Sequence, residues 1–255
     1  MKISIFGMGY VGVVTAACLA RDGHKVVGVD VSQDKVDLIN QGKSPIVEPG
    51  LGVLLNRAVR SGHIQATVNA ETAVLTTKIS LISVGTPPTG KGEPDLSYVI
   101  DVCKDIALAV KQKGTSHIVI LRSTVPPGTL EYCQNIMEQV TGKNLISTVF
   151  NPEFLRESSA IRDHDYPPYT IIGTESPMAE QAVRQLYKRV QAPVIVAKPR
   201  VAEMVKYAAN AWHATKVSFA NELGRISKAF GVDGREVMDV IVQDKKYQFQ
   251  ITIEK

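Results

Sequence analysis

Gly7, Gly9 and Gly12 stand in a G-x-G-x-x-G spacing, Gly7-Met8-Gly9-Tyr10-Val11-Gly12, directly after the apolar run at residues 3–6. A strand that turns on glycine into a helix is suited to receive a dinucleotide. Gly7 permits the tight turn, Gly9 lets the backbone approach a pyrophosphate, and Gly12 lets helix pack on strand. The helix start adds unpaired N–H groups and the positive end of a dipole, with Tyr10 and Val11 in its first turn. Asp30 closes the second apolar run. A carboxylate there accepts hydrogen bonds from both ribose hydroxyls and repels a 2′-phosphate, which favours NAD over NADP; the nearby charge of Lys35 slightly offsets that repulsion.

Two further loops follow apolar runs, Val84-Gly85-Thr86-Pro87 and Ser123-Thr124-Val125-Pro126. Ligands of parallel sheets bind beyond the carboxyl ends of the strands, so Thr86 and Thr124 either face a cofactor or substrate there or cap the helices that follow. Asn151-Pro152-Glu153-Phe154-Leu155-Arg156-Glu157-Ser158 reads as a helix start, with Asn151 as N-cap and Pro152 in the first position. Glu153 and Glu157 then share one face, either as acids favoured by the dipole or as a pair for binding and proton transfer. At about 100° per residue, Lys206, Asn210, His213 and Asn221 fall within roughly 80° of one another on a long helix. The stripe is sparse, amide, imidazole and one amine among apolar neighbours; it is either a solvated face, though such faces usually carry denser mixed charge, or the wall of a site. An ammonium with an amide one turn on suits a developing oxyanion.

The elements that must carry these groups alternate. Strands are expected at 3–6, 25–29, 79–84, 118–121, 147–150, 170–173 and 193–196. Helices are expected at 11–21, 33–40, 51–61, 96–111, 129–140 and 177–190. The strand runs are nearly continuous in apolar residues, the mark of strands covered on both faces. The fold class is therefore α/β, a doubly wound, mostly parallel Rossmann sheet. Residues 201–230 then hold no proline and one glycine, Gly224. That implies a long central helix, stopped by Gly231, with Asp233 capping a further helix through residue 242. Three parts are expected: a dinucleotide-binding domain at 1–198, the long helix at 199–231, and the start of a helical domain at 232–255.

The 255 residues are 44% hydrophobic, enough for one large domain or a domain with part of a second, and 21% charged, which argues against disorder. The formal charge of +4 is scattered, with no basic stripe for nucleic acid. Cys18, Cys103 and Cys133 lie in helical stretches without metal-ligand spacing, so buried reduced thiols in a cytoplasmic protein and no metal are expected. Glycines interrupt the N-terminal apolar run at once, and no run is long enough for a membrane span.

In combination, FGMGYVG at 6–12, GKSPIVEPGL at 42–51, SVGTP at 83–87, RSTVPPGT at 122–129, NPEFLRES at 151–158 and AEMVKYAANAWHATKVSFANELG at 202–224 resemble the UDP-glucose/GDP-mannose dehydrogenase family. The resemblance runs to about residue 244, and DYPPYTIIG, NAWHA and GVDGREVMDVIVQD stand nearest its GDP-mannose branch, with a UDP-glucose relative as the alternative. It implies oxidation of a nucleotide sugar at C6 from alcohol through aldehyde and thioester to carboxylate, with two NAD reduced, in the supply of an alginate-type polysaccharide. It implies that Tyr10, Val11, Asp30, Lys35, Thr86 and Thr124 contact NAD, and that Glu157, Lys206, Asn210, His213 and Asn221 face the sugar nucleotide. Thr124, Glu157, Lys206 and Asn210 are the implied catalytic residues, and the long helix the core of a homodimer. One departure stands out. The family's nucleophilic cysteine belongs to a GGSCxPKD-like segment after the long helix, whereas residues 245–255 read KKYQFQITIEK and no cysteine follows Cys133. The chain alone is therefore expected to be inactive, a fragment or a non-catalytic NAD-binding module. A hydroxyacid dehydrogenase also uses Lys and Asn one turn apart, but EPGL and NPEFLRES do not belong to that group.

Overall fold

A computed structural model describes residues 1–244. The expected segment 232–255 thus lies in part, at 245–255, outside the described residues. The chain divides into two compact units, Met1–Lys206 and Tyr207 onward.

The first unit is built on an eight-stranded sheet. The strands are β1 (Lys2–Phe6), β2 (Lys25–Val29), β3 (Ile64–Thr67), β4 (Ile79–Ile82), β5 (His117–Leu121), β6 (Ile146–Phe150), β7 (Thr170–Gly173) and β8 (Val194–Ala197). Their order is β3-β2-β1-β4-β5-β6-β7-β8. All neighbours are parallel except β6 and β7, which meet antiparallel at Phe150 and Gly173. The sheet is thus the expected doubly wound one. The order of winding reverses between the parallel strands β1 and β4, where the chain departs to opposite sides and a crevice opens.

Helices cover both faces: α1 (Tyr10–Arg21), α2 (Gln33–Asn40), α3 (Leu51–Arg60), α4 (Ala70–Leu75), α5 (Ser97–Lys113), α6 (Thr129–Thr141), α7 (Ala160–Asp165) and α8 (Pro177–Leu186). Two apolar clusters result, one centred on Ile3, Ile5, Leu19 and Leu81, the other on Phe6, Ile82, Ile106 and Phe150. α9 (Pro199–Ala229) gives its first turns to this unit and the rest to the second. The sequence pattern did not reveal β3, α4 or α7.

In the second unit α9 ends at Gly231, whose φ of +69° suits a glycine stop. Asp233 then accepts the Arg235 N–H and caps α10 (Gly234–Ile241), as expected. No helix among the described residues is long and apolar enough to cross a membrane.

Candidate active site

The glycine turn needs two of its glycines for separate steric reasons. Gly7 has a φ of +86°, and a Cβ there would come within 2.9 Å of the Ser83 carbonyl oxygen on the neighbouring loop. A Cβ on Gly12 would overlap the Gly7 carbonyl oxygen, so α1 starts tight against the end of β1. Gly9 is the N-cap of α1 and brings no side-chain hydrogen bond, and the first intrahelical bond runs from Val13 N–H to its carbonyl. The helix end stays open to an anion.

Asp30 is held rather than free. Its Oδ2 accepts the Met8 N–H at 2.8 Å and its Oδ1 the Ser32 N–H at 3.0 Å. The Lys35 ammonium stands 3.4 Å from Oδ2. These contacts fix the carboxylate at the rim of a cleft of about 450 Å³ lined also by Gly7, Gly9, Val29 and Gly85. The donor set fits a dinucleotide: an open helix end for phosphates, an acid for a ribose, an apolar floor for a base.

A second cavity of about 270 Å³ brings Tyr10, Val11, Thr86, Thr124 and Glu153 together. The Thr86 hydroxyl donates to the Thr124 carbonyl at 2.9 Å, tying the two loops. Thr124 heads the turn that leads into α6, whose first amides at Gly128 and Leu130 donate to the buried carboxylate of Glu203 at 2.6 and 2.8 Å. Glu203 sits on the first turns of α9, so α9 and the 122–129 loop are joined.

The 151–158 segment corrects the expectation of a helix start. Residues 151–156 are extended coil, and α7 begins only at Ala160. Asn151 cannot cap because its side chain is committed elsewhere: Oδ1 accepts Arg122 at 2.9 Å and Nδ2 donates to the Ile171 carbonyl at 2.8 Å, both buried. Glu153 and Glu157 therefore share no helix face. Glu153 turns inward, where Lys206 donates to its carboxylate at 2.9 Å and its carbonyl at 2.7 Å, with the ammonium 5.3 Å from the Phe154 ring centroid. Glu157 is exposed.

Lys206 closes the first unit. Asn210, His213 and Asn221 belong to the second and are exposed within it.

Glu48, in the EPGL stretch, carries no local signal of the role that the fold gives it. It is nearly buried, and three groups donate to it: the Tyr10 hydroxyl at 2.5 Å, the Ser158 N–H at 2.9 Å and the Ala160 N–H at 3.0 Å. The burial of Tyr10 and the adjacent Glu48 carboxylate raise the phenol well above its ordinary range, so it remains a donor.

All three thiols are buried. Burial pushes Cys18 up to about 12, and Cys103 is raised by its hydrogen bond to Cys133. Among the described residues no cluster of His, Cys, Asp and Glu could hold a metal ion.

Residues 1–191 match the NAD binding domain of the UDP-glucose/GDP-mannose dehydrogenase family, and residues 200–253 match its central domain. GDP-mannose 6-dehydrogenase of Pseudomonas aeruginosa is 51% identical over 96% of this chain and 57% of its own length. A UDP-glucose 6-dehydrogenase of Bacillus subtilis is 37% identical over 96% of the chain and 53% of its own. A crystal structure of a ternary complex of GDP-mannose dehydrogenase from Pseudomonas aeruginosa superposes with a TM-score of 0.94, again over 96% of this chain and 57% of that one. A UDP-glucose dehydrogenase of Pyrobaculum islandicum, 42% identical over the same shares, gives 0.92. The chain thus spans little more than half the length of these relatives. The cofactor of the matched domain is NAD, which the open helix end and Asp30 fit.

Proposed function

Because the chain belongs to the UDP-glucose/GDP-mannose dehydrogenase family, we propose that it is the cofactor-binding part and central helix of an NAD-dependent GDP-mannose 6-dehydrogenase. The observation that carries this reading is the single cavity in which the dinucleotide turn meets Thr86, Thr124 and Glu153, with Lys206 at Glu153. The greater identity to GDP-mannose enzymes supports GDP-mannose over UDP-glucose as substrate.

NAD, when bound, accepts the hydride from the sugar C6. The chain's own residues hold and polarise. The α1 N–H groups of Tyr10, Val11 and Gly12 receive the pyrophosphate, and Asp30 holds the adenosine ribose with Lys35 beside it. Lys206 exchanges Glu153 for the C6 oxygen and steadies negative charge there, with Asn210 as amide donor. Thr124 orders a water for proton removal. Glu157, His213 and Asn221 contact the sugar nucleotide. In this reading the dinucleotide-binding domain spans 1–198, the long helix 199–231, and the start of a helical domain 232–255.

The whole-protein features are part of the same proposal. A homodimer through the long helix is supported by the exposed Val217, Phe219 and Ile226 of α9. Supply of an alginate-type polymer follows from the substrate, and a cytoplasmic setting is supported by three unpaired thiols. A non-catalytic role for the 255-residue chain by itself is favoured by one observation: none of its thiols is accessible for a thioester step.

The test is a ligand series on the purified chain. NAD should bind, and GDP-mannose added with NAD should raise the melting temperature more than UDP-glucose does. A larger shift with UDP-glucose would overturn the substrate assignment. Turnover of GDP-mannose by the chain alone would overturn the non-catalytic role.

A further inference from the structure

We propose that Glu48 is a positioning residue that couples the phosphate-receiving turn at Tyr10 to the 153–160 loop, so that occupation of the turn by NAD stiffens the loop facing the sugar. The proposal rests on the NAD-dependent reading above. Glu48 lies in the connection between α2 and α3, outside both elements it joins. Its Oε2 accepts from Tyr10 Oη and Ser158 N–H together, and its Oε1 from the Ala160 N–H. Tyr10 adds a contact of its own, from its hydroxyl to the Arg156 carbonyl at 3.3 Å. One carboxylate thus gathers Tyr10, the first residue of α1, with the middle and the far end of the bend at 156–160.

The bend needs that hold. Ser158 has a φ of +69°, in the left-handed region that a serine adopts at a cost, and its N–H is the one Glu48 receives. The Ala160 N–H is the first amide of α7, and the N-cap Ser159 accepts none of the helix amides because its hydroxyl donates to Asp163 at 3.0 Å. Glu48 supplies that cap from far along the chain. Glu157 adjoins Ser158, so its position depends on whether Glu48 keeps its partners, whereas Glu153 is held separately by Lys206.

Hydrogen exchange on the 255-residue chain tests this, with Glu48→Gln and Glu48→Asp beside the wild type. A glutamine has one acceptor oxygen for three donors. Without NAD, exchange of the Ser158 and Ala160 amides should rise about tenfold or more in Glu48→Gln. In the wild type, saturating NAD should slow exchange at 156–160; in Glu48→Gln, NAD should still bind but no longer protect that segment. Glu48→Asp, which keeps the charge, should restore part of the protection. Unchanged exchange at Ser158 and Ala160 in the unliganded Glu48→Gln variant would overturn the proposal whatever NAD does. So would full NAD protection of 156–160 in a folded Glu48→Gln. Failure of the wild type to bind NAD overturns the functional reading instead, and with it the cofactor's part in the coupling.

Discussion

The Lys206 ammonium lies 2.9 Å from the Glu153 carboxylate, with only 6% and 12% of the two side chains exposed. Burial takes both charges out of water, and each becomes the other's chief compensation. Lys206→Ala leaves Glu153 unpaired and should lower stability by about 3 kcal/mol. Urea denaturation of the variant checks this; a loss below about 1 kcal/mol, the range of exposed pairs, would show that solvent already screens the pair.

Glu203 should matter almost as much without touching any ligand. Its carboxylate receives two amides at the start of α6, next to the loop of Thr124. Glu203→Ala leaves both donors unpaired and should cost about 2 kcal/mol in the same assay. An unchanged midpoint would contradict the cap.

How far the sequence speaks can be judged from these groups. The glycine turn, Asp30 and the strand pattern were legible because local spacing dictates them. The 151–158 segment misled because Asn151 followed by Pro152 is a sound local cap signal that tertiary bonding overrides: Arg122 and the Ile171 carbonyl claim the Asn151 side chain. β3 escaped because an edge strand of four residues with alternating burial carries no apolar run. Glu48 was invisible as a hub because its partners stand 38, 110 and 112 residues away along the chain.

Two buried imidazoles set the acid limb of stability. Burial pushes His117 and His164 down to about 3 each. Below the unfolded-state value of about 6.5, the unfolded chain takes up protons that the folded chain refuses. Stability therefore falls as pH drops from there towards 3, by up to about 1.4 kcal/mol per pH unit for each ring, and neither ring contributes above that window. Urea titrations at pH 7 and 5 on the wild type and His164→Leu should show a shallower loss in the variant. Equal slopes would contradict the assignment.

The thiols offer a quick check on the inert character of the chain. Cys18, Cys103 and Cys133 are all buried, which keeps a reagent from each sulfur. A disulfide reagent should modify none of them rapidly in the folded chain and all of them after denaturation. Fast reaction of any one would expose a thiolate that the fold does not show.

The central claim is that the start of α1 and Asp30 receive NAD. Calorimetric titration of NAD into the wild-type chain and into Asp30→Ala tests it most directly. Binding by the wild type, with an affinity loss of about 100-fold in the variant, is the expected result. Absence of binding by the folded wild type, or equal affinity in the two proteins, would contradict it.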